Sequence, residues 1–527
     1  MSSSLPQEVS VLVAGAGPTG LLLAAELCRR GVDCLLIDAH DAPLHWDRAT
    51  VVHPRSLEVF ESLGIVEPLL AAGVKQRVAR VHSAGALLGQ IDLALCGSRY
   101  PFNIGISEEV TESILNDYLE SRGGSVVRSS RLVGLEQREV DVLATIQHGD
   151  KTEQVVARWV VGCDGVRSAT RELVGIELAG HDIAAPWAVF DATVPGWAES
   201  FEANYAYLDA IPVILTSLPQ ERWRVYLRPS SDESDLVADA LTTLRGYMPG
   251  LAFDDVTHPT RFHCHTRVAA RYRAGRVLLA GDAAHVCSPS QGHGMNSGLQ
   301  DAYNLAWKLA LVCQGRCAST LFESYEAERR PVAEMITASG DAFEAAQDLT
   351  DPAARRTRDE ALRAVFADPQ TRHHESIAEA ELDIDYSNSP IVMGDAHERL
   401  APGQRLPSGI EVRLAEDRPC LLHELAHRAG HTALLIAGYR APIDEWATLR
   451  DRLLRPEGAS LLEAAYAQAT APPSVAGHFR LGPAGAGELG VERLTLLVIR
   501  PDGHVGLRAD HNHLAALGAY EALLRAE

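Results

Sequence analysis

Three glycines carry the first chemistry in this chain. Gly15, Gly17 and Gly20 stand in the spacing Gly-x-Gly-x-x-Gly, directly after the apolar run 9–14 and ahead of an apolar stretch over 21–30. A strand that feeds such a loop into a helix lets backbone N–H groups approach a pyrophosphate, whose charge the helix N-terminus favours. Asp38 ends a second apolar run, 33–38, where a carboxylate is placed to accept hydrogen bonds from a ribose 2′-OH. The arrangement predicts a dinucleotide site. It does not by itself separate FAD from NAD.

These residues need elements to hold them. The first helix closes at Gly31, and the βαβ opening that results requires a right-handed crossover between parallel strands. Apolar stretches over 158–163 and 276–280 predict two more buried strands, running into Asp164-Gly165 and Gly281-Asp282. From 183 to 267 short β-type segments (188–193, 212–216, 222–227) lie between Pro, Gly and acidic turns, which predicts an antiparallel sheet inserted into the α/β domain. Helical patterning follows from 296 to about 381, with the charged stretch 351–379 as a solvated face. After about Gly394 a mixed α/β texture returns, including a strand at 494–499, and reads as a separate small domain.

Asp164-Gly165-Val166-Arg167-Ser168-Ala169-Thr170-Arg171 and Gly281-Asp282-Ala283-Ala284-His285 resemble the second and third fingerprints of the class A flavoprotein monooxygenases, the p-hydroxybenzoate and phenol hydroxylase family. The run Pro289-Ser290-Gln291-Gly292-His293-Gly294-Met295-Asn296 continues the resemblance, as do 301–309 and Ser324-Tyr325-Glu326-Ala327-Glu328-Arg329-Arg330-Pro331. The resemblance implies an α/β fold: a discontinuous Rossmann-type FAD-binding domain (1–182 and 266–394) and an inserted antiparallel β-sheet substrate domain (183–265). Gly403-x-Arg405-x-Pro407 and Arg500-Pro501-Asp502-Gly503 are similar to the thioredoxin-like appendage of the phenol hydroxylase branch, which implies such a domain over 395–527. Cys420 is its single cysteine, so Cys-x-x-Cys redox chemistry is not expected there.

The same resemblance assigns candidate residues. Asp164 would lie near flavin and nicotinamide phosphates, and Asp282 would hold ribityl or ribose hydroxyls. Gly292 and Gly294 would let a helix start approach the isoalloxazine, with N–H groups near Met295 and Asn296 at its N1–C2=O edge. Arg48 and Arg55 match the family segment that meets FAD or NADPH phosphates, and Arg167 and Arg171 are further positive candidates. Pro289, through its carbonyl, and His53, as a polarising imidazole, are the catalytic candidates. Trp223, Val225 and Tyr226 are expected to bind substrate, although the strand's two faces are not told apart. One family glutamine at the ribityl chain is replaced by Glu108. The implied activity is monooxygenation of a small phenolic or polycyclic aromatic substrate with O₂ and NADPH or NADH as co-substrate, through a flavin C4a-hydroperoxide. Baeyer–Villiger insertion or epoxidation, or flavin-dependent stabilisation of an intermediate without NAD(P)H turnover, are the rival readings.

Composition bounds the rest. The 527 residues and 46% hydrophobic content suit several buried cores, and a net charge of -22 argues against nucleic acid. It also demands that arginines focus positive potential wherever anionic cofactors bind. Nine scattered cysteines without a Cys-x-x-Cys fit reduced thiols in a cytoplasmic protein, and no apolar stretch predicts membrane insertion. A homodimer is left open. No metal site is expected: His263-Cys264-His265 alternates on a strand pattern, with no further ligand pair at metal spacing beside it. No Gly-x-Ser-x-Gly elbow supports serine hydrolysis.

Overall fold

A computed structural model describes residues 5–44, 49–414, 417–438, 440–454, 460–468 and 478–526. Its central sheet runs Arg273–Ala274, Val277–Leu279, Lys151–Gly162, Glu8–Ala14, Cys34–Ile37, Val126–Val127, with an antiparallel hairpin leading into Lys151–Gly162. The inner pairings from Val277–Leu279 to Val126–Val127 are all parallel, and Ala14 is level with both Ile37 and Gly162, which is level with Leu279. The loops that carry Gly15, Asp38, Asp164 and Asp282 therefore leave the sheet on one edge, outside the carboxyl ends of the strands, where open α/β sheets bind ligands. Helix Pro18–Arg29 packs its buried leucines against this sheet and against the long buried helix His293–Cys313.

The second sheet is larger than the sequence suggests. Its seven strands run Asp254–Phe262, Trp187–Thr193, Arg222–Leu227, Val213–Leu218, Ala203–Tyr207, Val78–Ser83, Ala86–Asp92. The last two come from before the expected insertion, and Ala203–Tyr207 pairs parallel with Val78–Ser83, so the sheet is mixed and not purely antiparallel. The pairing spans more than a hundred residues, and local alternation carries no trace of it. Helix Leu236–Leu244 covers one face. The other face looks onto the central sheet's loops.

Helices Glu323–Gln347, Pro352–Ala367 and Pro369–Glu379 follow, the last two largely solvated. The C-terminal unit has a five-stranded mixed sheet, ordered Met393–Gly394, Val505–Ala509, Leu494–Ile499, His431–Ala437, Leu462–Ala467. It carries helices Ile443–Leu453 and His513–Arg525. Its apolar face shares one hydrophobic core with helix His293–Cys313, through residues such as Leu496, Leu507 and Tyr520. Among the described residues, no helix is long and apolar enough to cross a membrane.

Candidate functional site

A cavity of about 840 Å³ begins at the glycine loop and ends under the seven-stranded sheet. The glycines differ in what they do. Gly15 has φ +101°, and a Cβ there would lie 2.2 Å from the Cys163 carbonyl oxygen; a Cβ on Gly20 would lie 1.9 Å from the Gly15 oxygen. Both are required by the fold. Gly17, the N-cap of helix Pro18–Arg29, has no protein atom closer than 3.8 Å to such a Cβ. The free volume lies at the positive end of the helix, facing the cavity, so a Cβ would fill space that an anionic pyrophosphate can use.

Asp38 stands at the same mouth. Its Oδ2 accepts the Ala16 N–H at 2.8 Å, its Oδ1 accepts the His40 N–H at 2.8 Å, and Arg128 lies 3.7 Å away. Arg128 was not legible as a site residue, because it arrives from the loop after Val126–Val127 with no motif around it. Asp164 lines the next stretch, accepting Thr170 N–H and Oγ1–H at 2.9 Å each and the Ser168 hydroxyl. It thereby steadies the start of helix Ala169–Leu173, while Arg167 stays exposed at the rim. Asp282 is exposed to the cavity from the turn Gly281–Ala283. Buried Asp301 holds that turn: its Oδ2 accepts Gly281 N–H at 3.0 Å and bonds His285 Nε2 at 2.8 Å, while Oδ1 takes Arg329 Nε at 2.7 Å. Burial would raise the Asp301 carboxyl, but His285 and Arg329 pull it below the ordinary value. Burial pushes two thiols of the cavity wall up, Cys163 far above its ordinary value and Cys287 to about 12, so both stay protonated near neutral pH.

Pro289, Gly292, Gly294 and Met295 also line the cavity. Gly292 is left-handed at φ +72° and caps helix His293–Cys313, while the Pro289 carbonyl accepts the Gly292 N–H at 3.1 Å. Glu344, from a distant helix, fastens this turn through Ser288 and Ser290, and the same carboxylate accepts Trp187 Nε1–H at 3.1 Å. One buried acid therefore joins the turn to the sheet. No sequence signal marked it.

Several expected site residues take other work. Arg55 is buried away from the cavity, donating Nη2 to the Asp502 carbonyl at 2.7 Å and Nη1 to Glu58 at 3.3 Å, so it joins helix Pro54–Ser62 to the C-terminal unit. Arg171 likewise bonds carbonyls of Val166 and Ala283. His53 lies outside the cavity lining, buried and stacked on His293 at 5.1 Å, with its backbone N–H on Asn296 Oδ1. Asn296 is a strut: its Nδ2 also donates to the Val51 and Gly292 carbonyls. Arg48 lies outside the described residues.

The strand Arg222–Leu227 resolves the open question of faces. Trp223 and Val225 point into the core beneath helix Leu236–Leu244, so neither reaches the cavity. Pleating puts Tyr226 on the opposite side, level with Val189 and Ile214, and its hydroxyl is 3.2 Å from Thr50 Oγ1. Tyr226, Trp187, Ile214 and Phe262 make an apolar wall across from the Pro289 turn. His263 and Cys264 fall between two strands, and His265 Nδ1 is tied to Asp182 at 2.8 Å.

Residues 8–339 match the family described as FAD binding domain. The chain is 34% identical over 396 residues to the 6-methylpretetramide 4-monooxygenase of Streptomyces rimosus, covering 73% of this chain and 71% of that one. It is 30% identical over 523 residues to a 12-dehydrotetracycline 5-monooxygenase/anhydrotetracycline 6-monooxygenase of Streptomyces rimosus subsp. rimosus, covering 94% of each. The solved anhydrotetracycline hydroxylase from Streptomyces rimosus superposes with a TM-score of 0.77 at 27% identity over 99% of both chains. With the glycine loop, the Asp164 and Asp282 turns and the Pro289 turn around one cavity, this chain belongs to the FAD-binding-domain family of class A flavoprotein monooxygenases.

Proposed function

We propose that this chain hydroxylates a polycyclic phenolic substrate, with NAD(P)H as reductant and O₂ as oxygen donor. One observation carries the reading. The loop built for a dinucleotide and the apolar wall of Trp187, Ile214, Tyr226 and Phe262 line the same cavity. Relatives named for tetracycline-type substrates support the polycyclic class.

The residues fit FAD. Gly15 to Gly20 and the helix dipole behind them would hold its pyrophosphate, Asp38 its ribose and Asp282 its ribityl hydroxyls. Gly294 and Met295, in the first turn of helix His293–Cys313, leave backbone N–H groups for the ring. Bound FAD would supply the electron store and the activation of O₂. The protein's part is then positional. The apolar wall holds the aromatic substrate flat and excludes water, and the Tyr226 hydroxyl, steadied by Thr50, is the polar group that orients a phenol. Arg128 and Arg167 supply positive charge at the rim of an otherwise acidic protein. We read the C-terminal unit as thioredoxin-like in architecture and structural in role, and the domains as 1–77 and 93–182 with 266–392, 183–265 extended by the strands of 78–92, and 393–527, since Met393–Gly394 pairs in the C-terminal sheet.

The test is a panel of mono- and polycyclic phenols added to the flavin-loaded protein with NADPH under ¹⁸O₂. A polycyclic product one labelled oxygen atom heavier, with NADPH oxidation stimulated by that substrate, supports the reading. NADPH oxidation that yields only peroxide across the whole panel, or none at all, overturns it.

A further inference from the structure

At the seam between helix Pro54–Ser62 and the C-terminal unit, Glu61 meets His423 and His427. One ligand atom from each lies within 4.8 Å of the other two. The His423 Nε2 to Glu61 Oε2 distance is 3.2 Å, and the two imidazole centroids are 5.0 Å apart. Bond lengths of about 2.0–2.1 Å around a tetrahedral ion put adjacent ligand atoms about 3.3 Å apart and the centroids of two bound imidazoles about 5 Å apart. The Glu61–His423 pair and the two rings stand at the spacing that ligands of one ion take, and His427 offers a nitrogen within 4.8 Å of both partners.

Two further observations point the same way. His423 is only 7% exposed; its Nε2 meets Glu61, and its Nδ1 is buried with no hydrogen-bond partner, so one polar atom of this ring is unsatisfied. The other oxygen of Glu61 is held by Arg99, which also donates to Glu424 at 3.2 Å. A carboxylate fixed through one oxygen, whose other oxygen can exchange its hydrogen bond with His423 for an ion, has the outer support usual for a metal ligand. Glu61 and His427 remain partly exposed, which gives an ion a way in. The buried group His53, His293 and Glu381 lacks that access.

We propose that Glu61, His423 and His427 bind a borderline divalent transition-metal ion of the Zn²⁺ kind, which clamps the C-terminal unit onto the FAD-binding domain. The sequence signal is the His-x-x-x-His spacing, four residues apart, and its carboxylate partner lies far away in the chain.

The test uses the flavin-loaded protein, stripped with a chelator, dialysed and given stoichiometric Zn²⁺. About one Zn²⁺ per chain by elemental mass spectrometry, with a rise of several degrees in the melting temperature, is the expected result. Glu61→Gln and His427→Ala should each weaken Zn²⁺ binding by about 10–100-fold and remove the shift, while His258→Ala, at an exposed position, retains both. In chelator, a folded variant melts cooperatively and keeps its flavin, which separates loss of metal from loss of fold. No zinc above the dialysis background, or equal retention by Glu61→Gln and by the double variant His423→Ala/His427→Ala, overturns the proposal.

Discussion

Arg500 meets Glu328 end-on: Nη1 lies 2.6 Å from Oε1 and Nη2 2.8 Å from Oε2, and neither side chain has any solvent exposure. Arg500 belongs to the tight turn Arg500-Pro501-Asp502-Gly503 of the C-terminal unit, and Glu328 to helix Glu323–Gln347 of the FAD-binding domain. Lys308 Nζ joins at 2.7 Å from Glu328 Oε2, and Trp307 Nε1 donates to Asp502 Oδ2 at 3.1 Å. The motif that suggested the appendage is thus the plug that seats it. A buried charge needs its partner, so removing one member leaves the other uncompensated. Arg500→Met should cost about 3–5 kcal/mol in chemical denaturation, and Glu328→Gln a similar amount. A loss below about 1 kcal/mol for both would show that the network does not hold the seam.

The same network sets an acid limit. Burial would raise the Glu328 carboxyl, but Arg500 and Lys308 outweigh it and hold the group below its ordinary value of 4.5. A depressed carboxyl stabilises the fold fully above 4.5 and loses that contribution as pH falls through the folded value. The melting-temperature gap between the parent protein and Glu328→Gln should therefore shrink as pH falls from about 5 to about 2. Lys308 is also pushed down, to about 8, by burial against the pull of Glu328, because it shares that anion with Arg500, and for a cation the effect on stability is the opposite one. Its protonated form is a cost to the fold that is relieved as pH rises from about 8 towards 10.5. Lys308→Met should abolish any stability gain in that window.

The three loop glycines should separate in experiment. Gly15→Ala and Gly20→Ala place a Cβ against backbone at 2.2 and 1.9 Å, so both should lower stability and soluble yield. Gly17→Ala meets no protein atom within 3.8 Å and should fold normally. It should nonetheless purify with far less flavin, read as the ratio of visible to ultraviolet absorbance. Full flavin content in Gly17→Ala would remove Gly17 from the pyrophosphate cradle.

What could be read in advance follows a physical division. Gly15, Asp38, Asp164 and Asp282 were legible because their chemistry needs a backbone turn at a strand end, and a strand end is a local pattern. Arg55 and His53 were misplaced because a motif shows that a residue sits near a site without showing which way its side chain leaves the backbone. Glu344 and Arg128 gave no signal, since Glu344 meets the Ser288–Ser290 turn, and Arg128 the cavity, only through long-range packing. The strands Val78–Ser83 and Ala86–Asp92 were missed for the same reason: their partner is a strand more than a hundred residues later.

Strand alternation makes the last prediction a comparison of neighbours. Trp223 fills the core under helix Leu236–Leu244, whereas Tyr226, three residues on, presents its ring and hydroxyl to the cavity. Trp223→Ala should destabilise by about 3–5 kcal/mol through the void it leaves. At a temperature where it remains folded, its kcat/KM should stay near that of the parent. Tyr226→Phe keeps the ring and loses only the hydroxyl that faces Thr50, so stability should change by about 1 kcal/mol or less. If that hydroxyl orients the phenol, kcat/KM should fall about 10-fold and the peroxide released per NADPH consumed should rise, because a misplaced ring no longer captures the oxygen. Unchanged kcat/KM and coupling in Tyr226→Phe, beside a kinetic defect in Trp223→Ala, would mean that substrate meets the opposite face of the sheet.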